Sequence, residues 1–304
     1  MISIIVCSRY KEPKEDFVRN IESTIGVEYE LILIDNSENS HSIFSAYNEG
    51  IKRSSKPYLC FIHDDVKFHT YNWGKRIVCH LQDAETGIIG LAGSNYIGKV
   101  PLPWPMYITG INIIQPAKKG TKTVTLLSPQ GYNEVRKEAL VLDGVMLCCR
   151  KEMISEFRFD DNLKGFHGYD YDICLEAISK GYRNYIIYDI QLEHFSRGKT
   201  NQQYFRNLLF VFKKWEKYLP LYSADFGDTT IQESHKNEIQ QLNQLKKKMV
   251  RKGFSISEIR SAIDYFHPKA SSSFGRLLFS MHIFTYRLFI APKYLFGGID
   301  EGCC

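Results

Sequence analysis

The eight cysteines include no C-x-x-C pair, so the usual ligand spacing of a structural zinc site is missing. No Gly-rich turn follows the first apolar run. That turn is Ser8-Arg9-Tyr10-Lys11-Glu12, which argues against a dinucleotide-binding Rossmann domain. There is no Ser or Cys nucleophile motif, no internal repeat and no low-complexity tract. Met1 leads straight into Ile2-Ser3-Ile4-Ile5-Val6, too short and without the basic lead-in of a secretory signal. The expectation is a cytoplasmic chain. Its Cys7, Cys60, Cys148, Cys149 and Cys174, in or beside apolar segments, are then buried free thiols. Cys303-Cys304 matches no C-terminal lipidation motif and fits either a lipid anchor or no role. A broad basic surface is missing too. Net charge is +5, but residues 229–297 hold eleven Lys/Arg against four Asp/Glu, leaving 28 basic against 30 acidic residues elsewhere. That distribution argues against nucleic acid and for a local anionic partner such as a membrane face.

What is present has the composition of a folded protein: 304 residues, 44% hydrophobic and 24% charged. Residues 2–7 form a short, β-branched, continuously apolar run, as a buried parallel strand requires. A helix over 13–28, a strand over 29–34, a helix over 42–54 and a strand over 57–62 follow. This β-α-β-α-β rhythm predicts a doubly wound, mostly parallel α/β sheet whose ligands bind beyond the strands' carboxyl ends. Asp35 and Asp65 lie at such ends and should face one crevice. Further on, 71–83 reads as helix, 87–92 as strand, 139–150 as a strand containing Asp143-Gly144, 170–180 as a helix ended by Gly181, and 184–188 as strand. Pro101, Pro103 and Pro105 mark a loop or lid.

Three clusters carry the chemistry: Phe61-Ile62-His63-Asp64-Asp65-Val66, Phe166-His167-Gly168-Tyr169-Asp170-Tyr171-Asp172 and His194-Phe195-Ser196-Arg197-Gly198. Carboxylates closing a buried strand suit a hard divalent cation, Mg²⁺ or Mn²⁺, shared with phosphate oxygens. Asp65 is the candidate ligand, while Asp64 could join it or bind a ribose. A carboxylate that begins a helix can act as general base. Either Asp170 or Asp172 could instead cap that helix. His194 could complete the metal shell, and Arg197 could clamp phosphate. Asp35 has two readings, a nucleotide contact or an Asx-turn opening the loop through Ser40.

In order, these motifs resemble the GT-A glycosyltransferases, specifically the family 2-like inverting group with H-x-D-V and F-H-x-Y-D patterns. The resemblance covers roughly residues 2–215. It rests on Ser3-Ile4-Ile5-Val6-Cys7-Ser8-Arg9, Asp35, Asn48-Glu49-Gly50-Ile51, His63-Asp64-Asp65, Leu142-Asp143-Gly144-Val145, Tyr169-Asp170 and His194-Phe195-Ser196-Arg197-Gly198. It implies a GT-A fold over 1–226 with a helical, basic and aromatic extension over 227–304. It implies that Ser8, Arg9, Asp35, Asn48, Asp64, Asp65 and Arg197 bind the nucleotide-sugar. Asp143, Gly144, His167 and Tyr169 then line the sugar and acceptor pocket, and Asp170 is the base. Asp65 and His194 hold Mn²⁺ or Mg²⁺. The sequence departs from the family's D-x-D at its first position, His63, and carries Tyr169 rather than an acid before the base.

The implied reaction is inverting transfer from a UDP- or dTDP-sugar to a hydroxyl of a glycan or lipid-linked glycan, in bacterial surface polysaccharide assembly. A metal-dependent nucleotide or phosphodiester hydrolase and a non-catalytic scaffold are the alternatives. In the extension, Ile239, Leu242, Leu245 and Met249 share one helical face. Residues 277–291 are apolar but carry Arg287, too short and too charged for a span, which leaves an interfacial helix or one packed on protein.

Overall fold

The computed structural model describes residues 1–104, 110–115, 126–127, 135–155, 157–196, 200–224 and 238–266. The chain divides into two compact units. One comprises Met1–Ile97, Pro103–Lys199 and Lys217–Phe226; the other comprises Gly98–Leu102, Thr200–Glu216 and Gly227–Cys304.

The first unit opens with β1 (Ile2–Ser8), α1 (Glu15–Thr24), β2 (Tyr29–Asp35), α2 (Ile43–Arg53) and β3 (Tyr58–Ile62). Glu15 and Asp16 sit in the first turn of α1, where the helix dipole favours negative charge, and Phe17 and Ile21 bury its apolar stripe. The helix stops short of the predicted residue 28 because Gly26 takes φ +70°, with the Asn72 backbone 2.9 Å from where a Cβ would stand. Ser42 caps α2 by accepting from the Ser45 amide at 3.2 Å. The unit continues with β4 (Val66–Phe68), α3 (Trp73–Leu81), β5 (Thr86–Gly90), β6 (Ala92–Ser94), β7 (Tyr96–Ile97), β8 (Gly110–Ile114), β9 (Leu126–Leu127) and β10 (Arg136–Ala139). Then come β11 (Val141–Leu142), β12 (Met146–Arg150), α4 (Lys151–Ser155), α5 (Tyr169–Ser179), β13 (Arg183–Ile187), β14 (Leu192–His194) and β15 (Leu221–Tyr222).

The main sheet has seven strands in the order β10-β13-β5-β12-β3-β1-β2. Strands β2, β1, β3, β5 and β13 share one direction, while β12 runs against both β3 and β5 and β10 runs against β13. The doubly wound, mostly parallel expectation holds. A second sheet, β11-β6-β8-β14-β4 with β9 beside β8, consists of strands of two to five residues, and β15 pairs with β7. The single strand predicted over 139–150 is corrected to three pieces. β10 and β12 belong to the main sheet, but β11 between them pairs with β6 in the second. The break is the Asp143-Gly144 turn, where the Asp143 carboxylate accepts from the Val145 amide at 2.9 Å.

In the second unit, α6 (Gln202–Lys214), α7 (Glu238–Arg251) and α8 (Ile256–Phe266) share an apolar core. Leu242, Leu245 and Met249 of the predicted face are buried in it. Val100 and Leu102 join them, so the residues read as a loop or lid are pinned in a core as far as Leu102. Pro105 and 277–291 lie outside the described residues. No helix among the described residues is long and apolar enough to cross a membrane.

Trp73 stacks on Phe68 with ring centroids 4.0 Å apart and donates from Nε1 to Thr24 Oγ1 at 3.0 Å, locking α3 against α1 and β4. Replacing this fully buried ring (Trp73→Ala) is expected to cost about 3–5 kcal/mol. Trp73→Phe, which loses mainly the hydrogen bond, should cost about 1–2 kcal/mol. Denaturant midpoints of the two variants measure the difference.

Candidate active site

The parallel strands deliver their chemistry at one edge. Ser8 of β1 pairs with Asp35 of β2, and β3 runs beside β1 and ends just before His63-Asp64-Asp65. Asp64 ties the edge together. Its Oδ2 accepts from Ser8 Oγ at 3.0 Å and from the Arg9 amide at 3.3 Å, and its Oδ1 lies 3.7 Å from the exposed Arg9 guanidinium. Ser8, Arg9 and Asp64 are thus brought together.

Antiparallel pairing of β4 with β14 sets Val66 opposite His194, which places Asp65 against the same imidazole. Asp65 Oδ1 lies 3.2 Å from His194 Nε2. His63 Nδ1 and Ser196 Oγ each lie 3.3 Å from that nitrogen, and Gln115 Nε2 lies 3.4 Å from His194 Nδ1. Burial works to raise the Asp65 pKa. Hydrogen bonds from His194 and Ser196, with the influence of both imidazoles, outweigh it and hold the carboxyl well below its usual range. Burial, then the neighbouring His194, holds His63 below the ordinary imidazole value. One ligand atom from each of His63, Asp65 and His194 lies within 4.8 Å of the others. A ring nitrogen has one proton or one lone pair, so His194 Nε2 cannot serve three polar neighbours. A cation in their midst could, so these residues fit a divalent ion. Two imidazoles and one carboxylate suit Mn²⁺ better than Mg²⁺ or Ca²⁺, which prefer oxygen. In the transferase reading of the sequence the metal falls to Asp65 and His194 alone; His63, which heads H-x-D after an apolar strand, joins them in the structure.

The cluster is joined to α5 through Tyr169. The Tyr169 hydroxyl donates to Gly144 O at 2.9 Å and lies 3.1 Å from His63 Nε2. Tyr169 and Gly144, both grouped with the sugar pocket from the sequence, therefore meet each other. Tyr169 is buried, and a Cβ on Gly144 would stand 2.0 Å from its hydroxyl.

Asp170 follows in the first turn of α5. Burial, and then the charge of Asp143, raise its pKa to about 7 against the opposing pull of backbone amides, among them Tyr171 N at 3.0 Å. Asp172 is buried in the same turn. His167 is half-buried, and burial lowers its pKa. Asp35 is exposed and accepts from the Ser37 amide at 2.9 Å, the Asx-turn geometry, which holds its pKa down. Its exposure leaves the carboxylate open to a ligand as well. Asn48, grouped with the nucleotide side from the sequence, has its amide engaged elsewhere. It donates to Phe159 O at 2.9 Å and Asp161 Oδ1 at 3.1 Å and accepts from Phe159 N at 3.1 Å. Arg197 lies outside the described residues.

With this geometry in place, residues 3–216 match the model of a family described as a glycosyltransferase-like family. The chain belongs to that family. This glycosyltransferase-like protein is similar in structure to GalNAc-T7 with UDP, GalNAc and Mn²⁺, with a TM-score of 0.51 and 12% identity over 87% of this chain and 54% of that one. It thus spans about half the length of GalNAc-T7. It is also similar to the mannosyltransferase PcManGT from Pyrobaculum calidifontis in complex with GDP-Man and Mn²⁺, with a TM-score of 0.50 and 11% identity over 97% and 87% of the two chains. The shared feature is the GT-A fold. A protein of Fuscovulum blasticum described as "ATP synthase subunits region ORF 6" is 24% identical over 204 residues, 63% of this chain and 73% of that one.

The turn at Gly144 has no room for a side chain. Gly144→Ala is expected to force Tyr169 from its place at a cost of about 1–3 kcal/mol. A lower denaturant midpoint with an unchanged m-value would confirm it; an unchanged midpoint would contradict it.

Proposed function

We propose that this glycosyltransferase-like protein moves a sugar from a nucleotide-diphosphate sugar to an acceptor hydroxyl in one inverting step, with Asp170 as base. The observation that carries this reading is one connected path: Asp65, His194, His63, Tyr169 and Gly144 are linked by contacts of 2.9–3.3 Å, with Asp143 and Asp170 directly flanking it. A cation seat and a carboxylate poised near neutrality therefore share one framework. Metal-assisted displacement of a diphosphate by an activated hydroxyl needs that pairing.

His63, Asp65 and His194 would hold the divalent ion, whose chemistry when bound is to neutralise charge on the departing diphosphate. Asp35, Ser8, Arg9 and Asp64 lie at the strand edge where the nucleotide would bind. The exposed Asp35 carboxylate suits the imide N–H of uracil or thymine, which favours UDP- or dTDP-sugars. Arg197 would clamp phosphate. Burial, with the charge of Asp143 added to it, keeps the Asp170 pKa high enough for proton abstraction, and His167 shapes the acceptor side. The proposed acceptor is a glycan or lipid-linked glycan of bacterial surface polysaccharide, reached from the cytoplasmic face of a membrane. The basic excess of 229–297 supports that location.

The base assignment predicts that kcat/KM rises with pH and levels off above about 7, where Asp170 is ionised. Asp170→Asn should lower kcat by a factor of roughly 10²–10⁴ while leaving nucleotide-sugar affinity in place. Wild-type turnover in that variant would remove Asp170 from the mechanism. A raised folded-state carboxyl pKa also costs stability as pH climbs from the unfolded value toward about 7. Asp170→Asn should therefore melt above wild type at pH 8, and the gap should close by pH 4.

For the metal, thermal shifts with UDP should be larger with Mn²⁺ than with Mg²⁺, and His63→Ala should abolish the difference. Equal shifts with both ions would contradict the mixed nitrogen and oxygen ligand set. Release of nucleotide that does not depend on acceptor would favour hydrolysis over transfer.

A further inference from the structure

We propose that Tyr169 is a positioning residue that fixes the proton of His63 on Nε2 and so turns a bare Nδ1 toward the cation seat. A phenol has one proton to give. Tyr169 gives it to Gly144 O at 2.9 Å, so toward His63 Nε2, 3.1 Å away, its oxygen acts only as acceptor. The hydrogen between them therefore belongs to the imidazole. A neutral ring protonated at Nε2 carries its lone pair on Nδ1, the atom 3.3 Å from His194 Nε2 and within reach of Asp65. The opposite tautomer would point an N–H into the cluster and remove a ligand. Partners on the far side of a ligating imidazole act this way in general, by fixing tautomer and ring orientation. Here a buried phenol and a backbone carbonyl take that part.

Packing fixes where this hydroxyl sits, with the Tyr47 hydroxyl as a further neighbour that, like Gly144 O, takes its proton and leaves its oxygen to accept from His63. Tyr169 is held among Phe44, Tyr47 and Phe159 with ring centroids 5.6–6.3 Å away, and Gly144 lets its carbonyl approach only because it has no side chain. The same residue opens α5 and stands next to Asp170. A shift of the Tyr169 ring would thus move the metal ligand and the base together. The sequence pattern that puts Tyr, rather than a second acid, before the base then has a physical partner in the His at the head of H-x-D. His63 and Tyr169 meet as the two halves of an imidazole–phenol hydrogen bond.

The inference about the cation seat rests on the metal reading above, but the tautomer does not. The test uses the full chain labelled with ¹⁵N-histidine, with His63 assigned among the nine histidines by the missing signals of His63→Ala. In metal-free wild type, His63 should show a protonated Nε2 and an unprotonated Nδ1. In Tyr169→Phe, which keeps the ring and its packing, the two tautomers should mix. Mn²⁺ affinity, read by calorimetry, should fall roughly tenfold in Tyr169→Phe. It should fall no further when Tyr169→Phe is added to His63→Ala. An unchanged His63 tautomer in Tyr169→Phe, or an equal loss of affinity in both backgrounds, would overturn the proposal. If wild type binds no Mn²⁺, the metal reading fails, and the tautomer comparison alone decides whether Tyr169 sets the His63 proton.

Discussion

Three polar atoms converge on one nitrogen, Nε2 of His194, which can satisfy only one of them. Such crowding is costly in a partly buried site unless something compensates it. Much of the architecture maintains it. The β4–β14 pairing brings Asp65 to the imidazole, β3 ends one residue before His63, and the 143–145 turn supports the tyrosine behind His63. Gln115, at the end of β8, faces the other ring nitrogen of His194. Its amide can present either N–H or oxygen, so His194 can exchange tautomers without losing its partner.

The parallel core was legible because its signals are local. Ile2–Ser8 and Tyr58–Ile62 are short, mainly apolar runs whose length and β-branched or aromatic residues favour buried strands. The Asp at the end of such a run needs no further information to be placed at the sheet's edge. The second sheet was not legible. Strands as short as Val66–Phe68 and Val141–Leu142 are too brief to show a period, and their identity comes from partners far along the chain. The run over 139–150 illustrates this: its hydrophobicity is continuous, but Asp143 turns the chain from one sheet to the other.

The site divides in the same way. Asp64, Asp65, Asp170 and His194 stand out in the sequence as carboxylates and an imidazole at element ends. The contact between His63 and Tyr169 required knowing which atoms face each other across more than a hundred residues. Asn48 shows the converse. A polar residue on a helix facing the sheet looks available from sequence, yet its amide joins α2 to Phe159 and Asp161. Polar side chains near a site divide into those that wait for a ligand and those that hold the walls, and only their partners tell them apart.

The backward strand β12 has an evolutionary consequence. Because it enters the sheet between β3 and β5 in reverse, its first residues lie where its neighbours' last ones do, with Met146 across from Ile62. Two stretches of chain that are distant in sequence thus meet at one rim: the loops leaving β1, β2 and β3, and the turn entering β12. Insertions or substitutions ahead of β12 can remodel one side of that rim while β1–β3 keep their register on the other. The two sides of the rim can therefore vary independently of each other.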